Sequence, residues 1–339
     1  MSTPRATPAA AARWRPQATR AQLALRAQML AQIRAHFARA GVLEVETPVL
    51  AASGSTDPRL ASFTTLLHRD GNAGTSVAGT PLYLHTSPEF AMKRLLAAGS
   101  GSIYQICKVF RNGESGRVHN PEFTLLEWYR VDWSYRDLMD EVAALIGAVL
   151  APTRALAQPE HLSYAQAFAD YCGIDPWDAS VDRFAAVARE HGIVVANNPD
   201  LDRDAYCDLL LTHIIEPRLG RDRVTLLYDY PPSQAALARI RNDARPVAER
   251  FEAYLFGMEL ANGFQELRDE TEQRDRFRAD NARRIAAGLP AIPLDENLLA
   301  ALAHGLPACA GVALGVDRLL MAASGASALG EVLAFPLTP

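Results

Sequence analysis

Apolar and polar side chains alternate through Phe123-Thr-Leu-Leu-Glu-Trp-Tyr-Arg130, which predicts a β-strand with Phe123, Leu125, Glu127 and Tyr129 on one face. Thr124, Leu126, Trp128 and Arg130 then take the other face. An earlier apolar run ends at Arg111, and the turn-rich stretch from Asn112 to Pro121 joins the two runs as a long hairpin loop. Strands are also expected over Val224 to Tyr230 and over Phe251 to Leu267, with a turn at Gly257. From Gly311 a further strand leads through Gly315 into a helix that stops near Gly325. Leu23, Ala27, Leu30, Ile33 and Phe37 recur at helical spacing and predict a helix from Thr19 to Ala40, closed by Gly41.

Another helix is expected to start at Ser87 as N-cap, with Pro88 as its first residue and Glu89 in the first turn. A third runs from Ser134 to Leu150, and Ala151 to Pro159 reads as a linker. Residues 162–219 look mostly helical, and Pro231 to Arg239 looks like a turn into a helix. There is no internal repeat. The resulting class is α+β.

Charge appears where a packed strand should resist it. The hairpin would present Arg111, Phe123, Glu127 and Tyr129 to one cleft, and a buried arginine or carboxylate is costly unless an opposite charge meets it. A ligand bearing both signs would satisfy them, and so would a closed Arg111–Glu127 network. Arg318 falls at a helix N-terminus, where the macrodipole disfavours a cation. A polyphosphate facing both the guanidinium and the backbone N–H groups would account for it, with Gly315 allowing close approach. The alternative is a solvent-exposed Asp317–Arg318 pair.

The segment Tyr104 to Arg130 resembles motif 2 of the class II aminoacyl-tRNA synthetases, in the form of the lysine-specific enzymes and their shorter relatives. Gly311 to Met321 resembles motif 3, and Val42 to Pro48 resembles motif 1, the dimer-forming element. The resemblance implies a class II catalytic fold, an antiparallel sheet flanked by helices, working as a homodimer. It assigns catalysis to Arg111 and Arg318, and ATP to these two with Asn112, Gly113, Glu114, His119, Asn120, Phe123, Glu259, Leu260 and Gly315. Glu252 and Glu259 would hold Mg2+, a hard ion suited to carboxylates. Ser87, Pro88 and Glu89 would meet the substrate's backbone amine and Asn262 its carboxylate. Glu127, Tyr129 and Glu266 would surround its distal ammonium.

Lysyl-tRNA synthetases carry an anticodon-reading barrel ahead of motif 1. Only residues 1–41 precede it here, so residues 17–339 are expected to form one catalytic domain, with a helical insertion at about 160–220 and no anticodon recognition. The match is therefore best to the truncated paralogues that activate (R)-β-lysine as an adenylate and ligate it to a lysine of elongation factor P. Two positions bear on this. Ala313 stands where lysyl-tRNA synthetases usually have glycine, a methyl worth roughly 1–3 kcal/mol of discrimination. Gly113 stands where the family usually shows glutamate, and Glu114 beside it is the candidate replacement. A ligase acting on tRNA, a silent regulatory paralogue and an unrelated adenylate-forming amide synthetase are the competing readings.

With 339 residues, 49% of them hydrophobic, the chain can bury a large core. A net charge of −5 offers no general attraction to nucleic acid. No apolar stretch is long enough to span a bilayer. Met1 to Pro16 reads as a disordered leader rich in Ala, Pro and Arg. Cys107, Cys172, Cys207 and Cys309 lack metal spacing and fit small core residues of a reducing compartment, so a cytoplasmic location is expected.

Overall fold

The computed structural model describes residues 14–68, 79–195 and 201–337. The leader expected over residues 1–16 lies outside them but for its last three. Helix α1 (Arg20–Arg39) opens with a capping box in which Thr19 and Gln22 satisfy each other's backbone N–H groups. Its buried stripe is Met29, Ile33 and Phe37. Leu23, expected in that stripe, is exposed, because the 3.6-residue period carries it to the flank.

Four short strands follow, β1 (Leu43–Glu44), β2 (Leu50–Ala51), β3 (Thr64–Leu67) and β4 (Thr80–Leu84), and then helix α2 (Glu89–Ala97). This helix begins one residue later than expected. Ser87 Oγ still accepts from the Glu89 N–H, at 3.0 Å, while Pro88 occupies the cap position. The hairpin forms as predicted from β5 (Ile103–Phe110) and β6 (Glu122–Val131), in a register that sets Val109 opposite Phe123 and Gln105 opposite Glu127. Helix α3 (Tyr135–Leu150) starts at a Ser134–Asp137 capping box.

Strand β7 (Glu160–Ser163) runs parallel to β8 (Thr225–Tyr230), and helices α4 (Tyr164–Cys172), α5 (Val181–Glu190) and α6 (Arg203–Leu210) lie between them in sequence. The segment expected as a helical insertion thus opens with a strand just past the Ala151–Pro159 linker, drawn into extended form by the edge of β8. Pro231 to Arg239 forms no α-helix. It makes a 3-10 turn at Pro232–Gln234 and then bends at Ala236, whose φ of 48° no helix accommodates. The chain continues through β9 (Ile240–Arg241), β10 (Val247–Leu255) and β11 (Met258–Gln265). It ends with α7 (Glu270–Ala286), α8 (Glu296–Gly305), β12 (Cys309–Gly315) and α9 (Val316–Ser324).

Nine strands form the main sheet, in the order β1-β5-β6-β12-β11-β10-β8-β7, with β9 beside β10. Its pairs are antiparallel except β1–β5 and β7–β8. One face is closed: Leu126, Trp128 and Leu314 pack with Phe37 of α1, Leu145 of α3 and Leu319 of α9. A second core joins α4, α5 and α6 to Tyr230 and Tyr254, and a third packs Met92 and Leu96 against Leu298, Leu299 and Tyr129. Helices α2 and α8 thus cover the other face only at one end, and a cleft stays open beside them.

Candidate active site

Strand register assembles the cleft floor. Ala313 lies opposite Glu127 on one side and Asn262 on the other, and Asn262 lies opposite Glu252. Opposed residues of antiparallel strands share a face, so these four form one row across β6, β12, β11 and β10. A parallel row runs Tyr129, Gly311, Phe264, Arg250. A Cβ at Gly311 would stand 2.3 Å from Tyr129 Cε1 and 2.4 Å from Glu266 Oε1, so glycine alone lets those groups meet. Above the floor is a cavity of about 1360 Å³. All the residues that the resemblance assigns to the amino acid, Ser87 to Glu89, Glu127, Tyr129, Asn262, Glu266 and Ala313, line it.

At one end of the cavity the groups are acidic and buried. Ser87 Oγ and Tyr129 Oη donate to the two Glu127 oxygens, at 2.6 and 2.7 Å. Burial, reinforced by the charge of Glu89, pushes the Glu127 carboxyl up to about 8 in spite of those bonds. Glu266 is pushed up to about 7 by burial, with Lys93 pulling the other way. Lys93 is a residue that sequence reasoning missed. Its Nζ lies 2.6 Å from Glu89 Oε1 and 2.6 Å from Glu266 Oε2. The signal was available: Glu89, Met92, Lys93 and Leu96 have the i, i+3, i+4, i+7 spacing of one helix face, so Lys93 is a cation on a buried stripe.

The other end, where Arg111 lines the cavity, is basic and more open, while Arg318, Phe123, Glu252 and Glu259 are not among the residues that line it. The Arg111 guanidinium sits 5.0 Å over the Phe123 ring and 3.8 Å from Glu114 Oε1. Gly113 has φ of +86°, a conformation that favours glycine, and Glu114 supplies the carboxylate next to it. Arg318 donates to the backbone carbonyls of Glu259 and Val118, at 2.8 and 3.3 Å, and lies 3.6 Å from Glu259 Oε2. His119 Nε2 is 2.8 Å from Arg318. Burial and the Arg318 charge keep that imidazole below its ordinary pKa, so the neutral ring can accept. Asp317 does not form the exposed pair considered above. It is buried against Arg26 and accepts from the Thr124 N–H at 2.7 Å, leaving the Arg318 guanidinium to Val118, His119 and Glu259. Asn120 binds the Glu122 carbonyl at 2.5 Å and shapes the hairpin loop.

Magnesium suits the donor set as an ion shared with phosphate oxygens. Burial and the Glu252 charge raise the Glu259 pKa, and burial with Glu252 and Glu259 pushes Glu216 up to about 7. Such crowded acids call for a cation, while among the described residues no three ligands converge into a closed cage. Glu252 is the more occupied of the proposed pair, holding Arg250 at 2.5 Å and the Tyr230 hydroxyl at 2.6 Å. Glu216 and Arg250 were also missed. Arg250 lines the cavity with its Nε 3.3 Å from Asn262 Oδ1, beside the place expected for a substrate carboxylate. Burial and the Glu127 charge push the Cys107 thiol up to about 12, against a nucleophilic role.

The profile of the class II tRNA synthetases (D, K and N) matches residues 8–339. With this match over nearly its whole length and its largely antiparallel sheet, the chain belongs to that family. It is 50% identical over 327 residues to the elongation factor P (R)-β-lysine ligase of Photorhabdus laumondii, covering 96% of this chain and 98% of the relative. It is 49% identical over 324 residues to proteins of the same name from Sodalis glossinidius and Vibrio atlanticus, with coverage of 96% and 97% for the first and 95% and 98% for the second. These relatives are ligases, and class II synthetase architecture is one for ATP-dependent amino-acid activation.

Proposed function

We propose that the chain activates (R)-β-lysine with ATP and transfers it to the ε-amine of a lysine on elongation factor P. The observation that carries the reading is one cleft with two opposite demands: buried carboxylates Glu127 and Glu266 at one end and the Arg111 guanidinium at the other, with Arg318 outside the cavity lining beside His119 and Glu259. A diamino acid joined to a nucleotide meets both. The carboxylate of β-lysine, oriented by Asn262, attacks the α-phosphorus of ATP in line, and pyrophosphate leaves. Arg111 and Arg318 offset the charge that develops on the phosphoryl oxygens. Phe123, already under the Arg111 guanidinium, stacks on the adenine. Glu252 and Glu259 would hold a magnesium ion, which offsets phosphate charge when bound.

In the second step a deprotonated lysine Nζ attacks the acyl carbon of the adenylate, an amide forms and AMP leaves. The acceptor amine has an ordinary pKa near about 10.4 and must shed its proton on docking. Supporting a homodimer, Leu43 of β1 is exposed within the segment that resembles motif 1, and Leu50 of β2 is exposed just beyond it. No described helix is long and apolar enough to cross a membrane.

ATP–pyrophosphate exchange with α-lysine and both enantiomers of β-lysine tests the first step, and the mass of elongation factor P after reaction tests the second. Exchange fastest with (R)-β-lysine and a mass gain of one β-lysyl group are expected. Charging of bulk tRNA without modification of the factor would overturn the reading.

A further inference from the structure

The three carboxylates of the acidic end are not equally provided for. Glu89 and Glu266 share Lys93, each at 2.6 Å. Among the described residues, Lys93 is the only cation within 4.0 Å of any of the three, and Glu127 has none. Glu127 instead takes its two hydrogen bonds from the neutral hydroxyls of Ser87 and Tyr129. Lys93 is 1% exposed, and while Glu89, Glu127 and Glu266 line the cavity, Lys93 does not. It stands behind the wall.

From this geometry we infer that Lys93 is a positioning residue of the diamino-acid pocket: it draws Glu89 and Glu266 together from behind and cancels one of three negative charges. Fully ionised, Glu89, Glu127 and Glu266 with Lys93 leave a net charge of −2, and a diamino acid brings two ammonium groups. A pocket of −3 would leave a buried carboxylate unpaired after the substrate had bound, and a pocket of −1 would leave an ammonium unpaired. Lys93 therefore sets how many amines the ligand must carry. Two further observations agree. Burial alone would lower the pKa of Lys93, yet Glu266 and Glu89 hold it above its ordinary value, so the cation persists. Glu127, the acid without a cation, is pushed up to about 8 by burial, further than Glu266, as expected of a group that waits for the ligand's charge.

The inference rests on the proposed function, since it presumes a diamino acid in this pocket. Its test therefore measures binding as well as turnover. Titration calorimetry on the wild-type chain, Lys93→Met and Lys93→Arg gives dissociation constants for (R)-β-lysine and for ATP. Pyrophosphate exchange on the wild type separately tests the function. Lys93→Met should weaken β-lysine by about ten-fold or more, with ATP changed by less than about three-fold, because only the acidic end loses its geometry. Lys93→Arg keeps the charge and the fold but pushes the two carboxylates apart, and should weaken β-lysine selectively as well. If Lys93→Met does not fold, Lys93→Arg decides. A merely structural lysine would lower the melting temperature and leave the ratio of the two dissociation constants alone. An unchanged β-lysine constant in a folded variant overturns the role of Lys93 by itself. A wild-type chain that binds no diamino acid overturns both readings together.

Discussion

Where phosphate is expected, Arg111 and Arg318 aim their donors at backbone carbonyls of Thr86, Val118 and Glu259 and remain partly exposed. Where the ammonium is expected, Glu127 and Glu266 stand on or beside strands, 2% exposed, with pKa values displaced far from the ordinary 4.5. The basic end can tolerate emptiness, because its arginines stay charged and their neighbours are replaceable by water or phosphate. The acidic end cannot, so it keeps an internal lysine and a proton in reserve. A ligand entering the first exchanges partners; one entering the second changes an ionisation state.

The sharpest way to break this contrast is Arg318→Ala. Removal of a preorganised donor to the transferring phosphoryl group should cost roughly 3–4 kcal/mol of transition-state stabilisation, read as kcat/KM for pyrophosphate exchange. Unchanged exchange would take Arg318 out of the site. Next is Glu127→Gln, which keeps the shape of the row but not its charge. A lost charged hydrogen bond of about 1.5–3 kcal/mol should appear in KM for the amino acid while KM for ATP holds. If both constants moved equally, the two ends would not be independent.

The third probe is pH. A carboxyl raised in the folded state binds more protons folded than unfolded between its ordinary value and its shifted one, so its contribution to stability is present below pH 4.5 and is lost as pH climbs towards about 8. The ligand-free melting temperature should therefore fall between pH 5 and pH 8, and it should fall less in Glu127→Gln. Affinity for the diamino acid should run the opposite way, rising by up to about ten-fold per pH unit as Glu127 ionises, until pH passes about 8. A flat binding profile in the wild type would mean that Glu127 is already ionised without ligand. The smallest effect is expected from Ala313→Gly. Its methyl lies in register between Glu127 and Asn262, so its removal should shift selectivity towards α-lysine by about 1 kcal/mol. Equal selectivity in both forms would place the discrimination elsewhere.

Much of the phosphate end was legible because short-range rules write it out: a strand ending at Arg111, turn formers from Asn112 to Pro121, and a glycine ahead of Arg318. The hairpin and the helix capped at Ser134 formed where alternation and capping placed them. Pro231 to Arg239 misled because its composition suits a helix while Ala236 is held at positive φ, next to the bridge between Ala238 and Glu266. At the acidic end Glu127, Tyr129 and Glu266 could be named, and Lys93 was legible only as a cation on the apolar stripe of α2, while Arg250, beside Asn262, looks in sequence like an ordinary solvated base.

The order of side chains along single strands and helices was set by the sequence itself: which residues share a face of β6, where α1 and α3 begin, and which motifs occur. Those features follow from periods of 2 and 3.6 residues and need no partner. Only the tertiary structure put Glu127, Ala313, Asn262 and Glu252 in one row, since that depends on the register of four strands from three distant segments. It also decided which charges lost their water. Desolvation is a property of the assembled cleft, so the pairing of Lys93 with Glu89 and Glu266, and the carboxyl of Glu127 held by hydroxyls alone, emerge only when the chain is folded.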